Sequence, residues 1–220
     1  MKNYKIMKNI SFITLTFLTF FTAFSQNGVE AKKLLDDVSS KMKSYDNIYI
    51  AFDYILENKE ADVEQVFEGD VILQGENYVV NLFDTTIVFD GDFSYTIVPE
   101  NEEVNIIRSD GDNKETISPS SLLTFYQNGY TFSSGEKKNI NGNQIQFIDL
   151  VPIDTDSEVV YVEVGIDTRK LHIYSVREIG NNNTHTIITV KELRTNQKLA
   201  QNTFTFEEEK YKDDGYTINR

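Results

Sequence analysis

Covalent chemistry needs nucleophiles, acid–base pairs or metal ligands at close spacing, and this 220-residue sequence offers few of them. It has no Cys, which removes thiol catalysis, disulfides and a lipid-modified N-terminal cysteine together. Its two histidines stand singly. His172 lies between Leu171 and Ile173, and His185 between Thr184 and Thr186, with no second histidine at ligand spacing. Each reads as a surface or cross-strand residue. There is no G-x-S-x-G elbow, phosphate loop or dinucleotide fingerprint. The loop Asp110, Gly111, Asp112, Asn113, Lys114 and Glu115 lacks the alternating ligands and closing acid of an EF-hand, so it reads as a solvated turn. Glu207, Glu208 and Glu209 read as a solvated run in the same way. With 35 Asp and Glu, two carboxylates for glycoside hydrolysis can always be found, but there is no Trp to stack on a sugar ring. The expectation is a protein that is not an enzyme and needs no metal or cofactor.

What the sequence does hold in quantity is apolar and aromatic surface, including 15 Phe and 12 Tyr. It also holds charge of one sign. The net charge is −14, which repels nucleic-acid phosphates and anionic membrane surfaces alike. The N-terminus differs from the rest. Lys2, Lys5 and Lys8 precede any acid, residues 10–24 are uncharged, and Ala23 and Ser25 put small residues at −3 and −1 of a cut before Gln26. That is the three-part pattern of a secretory signal peptide. The apolar run is shorter than the roughly 20 residues of a spanning helix, and Ser and Thr interrupt it. The expected organisation is a signal peptide over 1–25 and one domain over 26–220. Loss of the three lysines makes the exported chain three charges more negative still.

The elements that must carry the apolar residues follow from periodicity. Ala31, Leu34, Leu35, Val38, Met42 and Tyr45 recur at steps of three and four and predict a helix over 29–45. The period then changes to two. Ile48, Ile50, Phe52, Tyr54 and Leu56 share one face of a strand over 46–57. Further strands are predicted over 63–73, with a bulge or bend at Gly69, and over 78–83, 85–90, 93–98 and 104–108. Asp90 and Gly91 form the hairpin signal between two of them. A short helix is predicted over 118–127. Ser118 would cap it, Pro119 would start it, and Gly129 would follow its end. It carries Leu122, Leu123, Phe125 and Tyr126, so it is apolar around most of its circumference; it is either a core plug or a lid. Strands resume over 144–151, 159–166, 171–179 and 184–193, and residues 203–206 close the sheet. The charged tail from Glu207 on is expected to be loosely held. About ten antiparallel strands make a sheet that curls, with two helices for its concave side. The pattern suits a plain core and a dry cavity equally.

The order of these elements resembles the periplasmic outer-membrane lipoprotein carriers, the LolA family. The resemblance rests on the first helix, Ile50-Ala51-Phe52, and Glu68-Gly69-Asp70-Val71. Val88-Phe89-Asp90-Gly91, the helix after Pro119, Leu150-Val151-Pro152 and Phe204-Thr205-Phe206 complete it, so it spans nearly all of 26–220. It implies an α+β fold, an incomplete, half-open antiparallel β-barrel with helices packed in its concave face. It also implies a monomeric carrier that shields lipoprotein acyl chains in an apolar cavity. Such a carrier takes them from an inner-membrane lipoprotein-releasing transporter to an outer-membrane acceptor. The residues expected to line the cavity are Leu34, Leu35, Val38, Phe52, Tyr54, Phe67, Leu122, Leu123, Phe125 and Tyr126. One stretch departs from the family. Well-studied members carry a basic residue, typically Arg before Pro, on the strand after Gly-Asp, where it helps hold the lid closed. Here that stretch is Leu73-Gln74-Gly75-Glu76-Asn77-Tyr78. Related domains serve in envelope-stress sensing and glycolipid export. A carrier of another lipid, or a module that senses lipoproteins, is therefore the alternative.

Overall fold

The computed structural model describes residues 21–109 and 124–220, with side chains from Asn27 on. The charged start of the signal peptide, the acidic loop 110–115 and most of the predicted helix 118–127, with Leu122 and Leu123, lie outside the described residues. Helix α1 (Phe21–Lys43) starts upstream of the expected cut. Ala31, Leu35, Val38 and Met42 are buried along one stripe of it. On its other side Lys32 pairs with Asp36 at 2.8 Å and Lys33 with Asp37 at 3.6 Å, each one turn apart. Backbone bonds from Ser44 to Lys41 and from Tyr45 to Met42 close its last turn.

Six strands follow as a meander: β1 (Ile48–Asn58), β2 (Val63–Gln74), β3 (Asn77–Leu82), β4 (Thr85–Phe89), β5 (Phe93–Val98) and β6 (Glu103–Arg108). The chain then passes to the opposite edge of the same sheet. There a second meander runs through β7 (Tyr130–Ile140), β8 (Asn143–Pro152), β9 (Val159–Asp167), β10 (His172–Gly180) and β11 (His185–Thr195). Pairing of β11 with β1 joins the two meanders. The tail adds helix α2 (Glu208–Asp213) and strand β12 (Thr217–Asn219), which pairs parallel with β6. The result is one open sheet of 12 strands with β12 and β7 at its edges. It is the half-open barrel of an α+β fold.

The sheet has a core on each face. On the inner face, α1 packs against β7 and β10, and its buried stripe joins Phe52, Val71, Tyr78, Ile148, Leu150, Val162, Val164 and Ile166. On the outer face of β4–β6, Val88, Ile97 and Val104 are covered by Phe206, Tyr211, Tyr216 and Ile218. Tyr95 stacks on Phe206 at 4.5 Å, and Phe206 stacks on Tyr211 at 5.2 Å.

Four expectations are corrected. Residues 203–206 form no strand; Phe206 serves as a stacking ring on the outer face. The tail after Glu207 is not loose, because its tyrosines seal that second core and β12 pairs with the edge. Strand β7 is not among the expected strands, since Ser133, Ser134, Gly135, Glu136, Lys137 and Lys138 carry no apolar alternation. As an edge strand it needs apolar residues only at Tyr130 and Phe132, and its register shifts between Ser134 and Lys137. Gly69 marks no bulge. Pairing of β2 with β1 is continuous through Phe52 and Gly69, and the irregularity lies on the other side of β1, between Ala51 and Phe52.

Gly69 serves close approach instead. A Cβ there would stand 2.7 Å from Cζ of Phe52 and 2.9 Å from the carbonyl oxygen of Asn81. The expected hairpin at Asp90 is present. Asp90 Oδ1 accepts the backbone N–H groups of Asp92 and Phe93, and Gly91 takes φ 108°, which suits glycine.

Candidate functional site

Cross-strand partners share a face of a sheet, so the ladders define what the inner face presents. One rung reads Ile148, Val164, Val176, Ile188, Tyr54 and Phe67 from β8 to β2 and is apolar throughout. The next reads Leu150, Val162, Glu178, Thr186 and Leu56. Toward β4 the face continues as Val71, Val80 and Ile87. Several of these side chains, Tyr54, Val80, Ile87, Val176 and Ile188 among them, pack against the buried core and stay only partly buried themselves.

An aromatic group borders this band on the β7 side. A single 3-10 turn, Phe125–Gln127, is the described part of the predicted short helix. The ring of Phe125 meets Tyr126 at 6.1 Å and Tyr130 at 5.7 Å, and Tyr126 meets Phe132 at 6.4 Å, all edge to face. Tyr126 is buried, and its hydroxyl donates to Asp36 Oδ1 at 2.9 Å, fastening the turn to α1. The Lys32 hydrogen bond holds the Asp36 carboxyl below its ordinary range, while burial raises the Tyr126 phenol. At the other end of α1, Tyr45 and His172 share a 2.8 Å hydrogen bond, and burial lowers the His172 imidazole. A third ring group, Tyr54, Phe67 and Phe83, closes the far margin, with Phe67 and Phe83 4.7 Å apart.

The expected lining residues are positioned as follows. Leu35 and Val38 of α1, Phe52 of β1 and Tyr126 are buried in one cluster, against which Leu34, Tyr54 and Phe125 are partly buried. Phe67 of β2 touches that cluster through Tyr54. Leu122 and Leu123 lie outside the described residues. Residues not anticipated on this face are Tyr130 and Phe132 of β7, Glu178 of β10, and Phe83 at the β3–β4 tip. Tyr130 and Phe132 are legible as an alternating apolar pair. Phe83 carries no such signal, since it takes φ 54°, a conformation foreign to a large side chain.

The outer face offers a different environment. A cavity of about 420 Å³ there is bordered by Tyr49, Ala51, Phe52, Glu68, Asp70 and Lys191 among others. Lys191 bridges Asp53 at 3.2 Å and Glu68 at 2.6 Å, and Asn81 donates to Asp70 at 3.1 Å. Its charges thus answer one another. His185 pairs with Glu57 at 3.0 Å and lies 3.3 Å from Arg177, a cross-strand cluster on this same face. Among the described residues no group of three or more His, Asp or Glu could hold a metal ion. No described helix is long and apolar enough to cross a membrane.

Comparison with known proteins bears on this geometry. The family model described as outer membrane lipoprotein carrier protein LolA matches residues 21–180. No curated protein matches the sequence. Among solved structures, a conserved protein from Thermus thermophilus superposes with a TM-score of 0.55 at 7% identity, covering 81% of this chain and 94% of its own. A LolA superfamily protein from Nitrosomonas europaea is similar with a TM-score of 0.41 at 11% identity, covering 80% and 97%. The Mycobacterium tuberculosis lipoprotein LppX gives 0.47 at 11% identity, covering 77% and 98%.

Proposed function

The chain belongs to the LolA family of outer membrane lipoprotein carriers, and on that premise we propose that it shields the acyl chains of lipoproteins on the inner face of its sheet. The observation that carries this reading is the width of the apolar band. It runs across the sheet from Phe132 on β7 to Ile87 on β4, whereas α1 lies on β7 and β10. Burying an acyl chain is worth about 0.8 kcal/mol per methylene, so a dozen methylenes on this band would hold cargo by roughly 10 kcal/mol before ordering costs. No bond need be made or broken; the protein acts as a carrier, not an enzyme. It works in the periplasm, receives cargo from an inner-membrane lipoprotein-releasing transporter and yields it to an outer-membrane acceptor.

Two steps test this. Protein purified from its own cell envelope is analysed by mass spectrometry for bound acyl compounds, and then added to inner-membrane vesicles holding a triacylated lipoprotein. Release of that lipoprotein into a soluble complex is the expected result. Bound lipid without release would replace the reading with a carrier of another lipid or a lipoprotein sensor. No bound lipid and no uptake would overturn it.

A further inference from the structure

Glu178 is out of character with its surroundings. Its ladder partners are Val162 on β9, which is fully buried, and Thr186 on β11. The adjoining rung of the same face is the apolar one through Val164, Val176 and Ile188. Glu178 is the exposed residue of β10, so solvent and ligand reach it. No hydrogen bond or ion pair reaches its carboxylate among the described residues. The cation next to it in sequence, Arg177, points to the other face, where it meets His185, which is itself paired with Glu57. The other acids of the two faces are mostly answered: Asp36 by Lys32 and Tyr126, Asp53 and Glu68 by Lys191, Asp149 by Tyr161, and Glu57 by His185. Water answers this carboxylate in the open face, but an acyl chain laid on the apolar floor beside it would displace that water and leave the charge costly unless the ligand itself supplies a donor.

We infer that Glu178 is the headgroup site of the acyl-binding face, and that it takes an acyl compound headed by a nitrogen that donates hydrogen bonds, an amine or an amide. This rests on the acyl-binding reading above and narrows its ligand. The chain would lie along the partly open stretch of the apolar rung, Val176, Ile188 and Tyr54, and the N–H would donate to the Glu178 carboxylate. The surroundings agree. Partial desolvation by its apolar neighbours pushes the Glu178 carboxyl up from its ordinary range although the side chain stays reachable, and its charge adds to the burial that raises the Tyr130 phenol beside the aromatic group. A donor nitrogen relieves that cost. A carboxylate-headed chain would add a second negative charge beside the first and be refused.

The probes are dodecylammonium, dodecanol and dodecanoate, each displacing the neutral apolar dye N-phenyl-1-naphthylamine from the purified protein. The expected order of affinity is ammonium, then alcohol, then carboxylate, with about tenfold between neighbours, the size of a charge-assisted hydrogen bond in a partly dry site. Glu178→Gln, with an unchanged circular dichroism spectrum and melting temperature, should bring ammonium and carboxylate to within about twofold of each other. Glu163→Gln removes the same charge from the outer face and should leave the order intact, which separates a local partner from the field of a −14 chain. An order that is absent in the wild type, or that survives Glu178→Gln, overturns the headgroup site while leaving acyl binding standing. Failure of the dye and all three probes to bind overturns the acyl-binding reading itself.

Discussion

Gly69→Ala puts the packing of the inner face to a direct test. A methyl group there would meet Cζ and Cε2 of Phe52 at 2.7 and 2.8 Å and the Asn81 carbonyl oxygen at 2.9 Å. Ordinary contact begins at 3.4 Å, so every neighbour must move by about half an ångström or more. Neither is free to do so. Phe52 is 8% exposed within the main core, and Asn81 is held in the β2–β3 ladder opposite Asp70. Overpacking of this kind costs about 1–3 kcal/mol. Replacing glycine in a strand returns roughly 0.5–1 kcal/mol of backbone entropy. Contacts of 2.7–2.9 Å put the overpacking in the upper part of that range, so the net expectation is a loss of about 1–2 kcal/mol, which for a chain of this size lowers the melting temperature by about 2–8 °C. Differential scanning calorimetry or thermal circular dichroism reads it directly. Phe52→Leu should cost less in the Gly69→Ala background than on its own, because the ring clash is then gone and only the carbonyl remains. An unchanged or raised melting temperature for Gly69→Ala alone would refute the argument, since it would mean that the Phe52 ring yields at no cost.

Three further outcomes are expected. N-terminal sequencing of the exported protein should begin at Gln26; retention of Met1 in a membrane pellet would reject export by a cleaved signal. The Asp90 carboxyl sits below its ordinary value of 3.8: burial raises it, but the N–H groups of Phe93 and Asp92 and the Tyr95 hydroxyl outweigh that. A carboxyl lowered on folding stabilises the fold above its unfolded value and loses that contribution as pH falls through the folded one. The melting temperature should therefore drop below about pH 4, as Asp36 and Asp167 also require, and Asp90→Asn should shrink the drop. Phe125→Glu, placed in the aromatic group rather than in the sheet, should abolish acyl uptake while leaving the far-ultraviolet spectrum unchanged, because a charge buried there costs about as much as several methylenes gain.

The parts of this molecule that are legible in its sequence are those where a period repeats. Ala31 to Met42 recur at the helical step because α1 must bury a stripe, and the β1 residues Ile48 to Leu56 alternate because one face of that strand meets the core. The turn at Asp90 is legible because the Asp90 side chain and the adjoining glycine make it locally. The C-terminal tail is not, because Phe206, Tyr211 and Tyr216 act by stacking on one another and on Tyr95 rather than through any period. Glu178 shows the limit most clearly. Ile173 pairs with Ile166 on the inner face, and strict alternation from Ile173 would put Ser175 and Arg177 inward and Glu178 outward. The register slips at Tyr174, so Ser175 faces Gly165, Val176 faces Val164 and Glu178 faces Val162. Gly165 permits the slip, since a Cβ there would stand 2.7 Å from the Ser175 hydroxyl and 3.0 Å from the Phe147 ring. Only a residue without a side chain lets Ser175 and Phe147 close over the outer face there. A constraint between three strands thus sets the face of a residue thirteen positions further along the chain, and no window of sequence around Glu178 contains it.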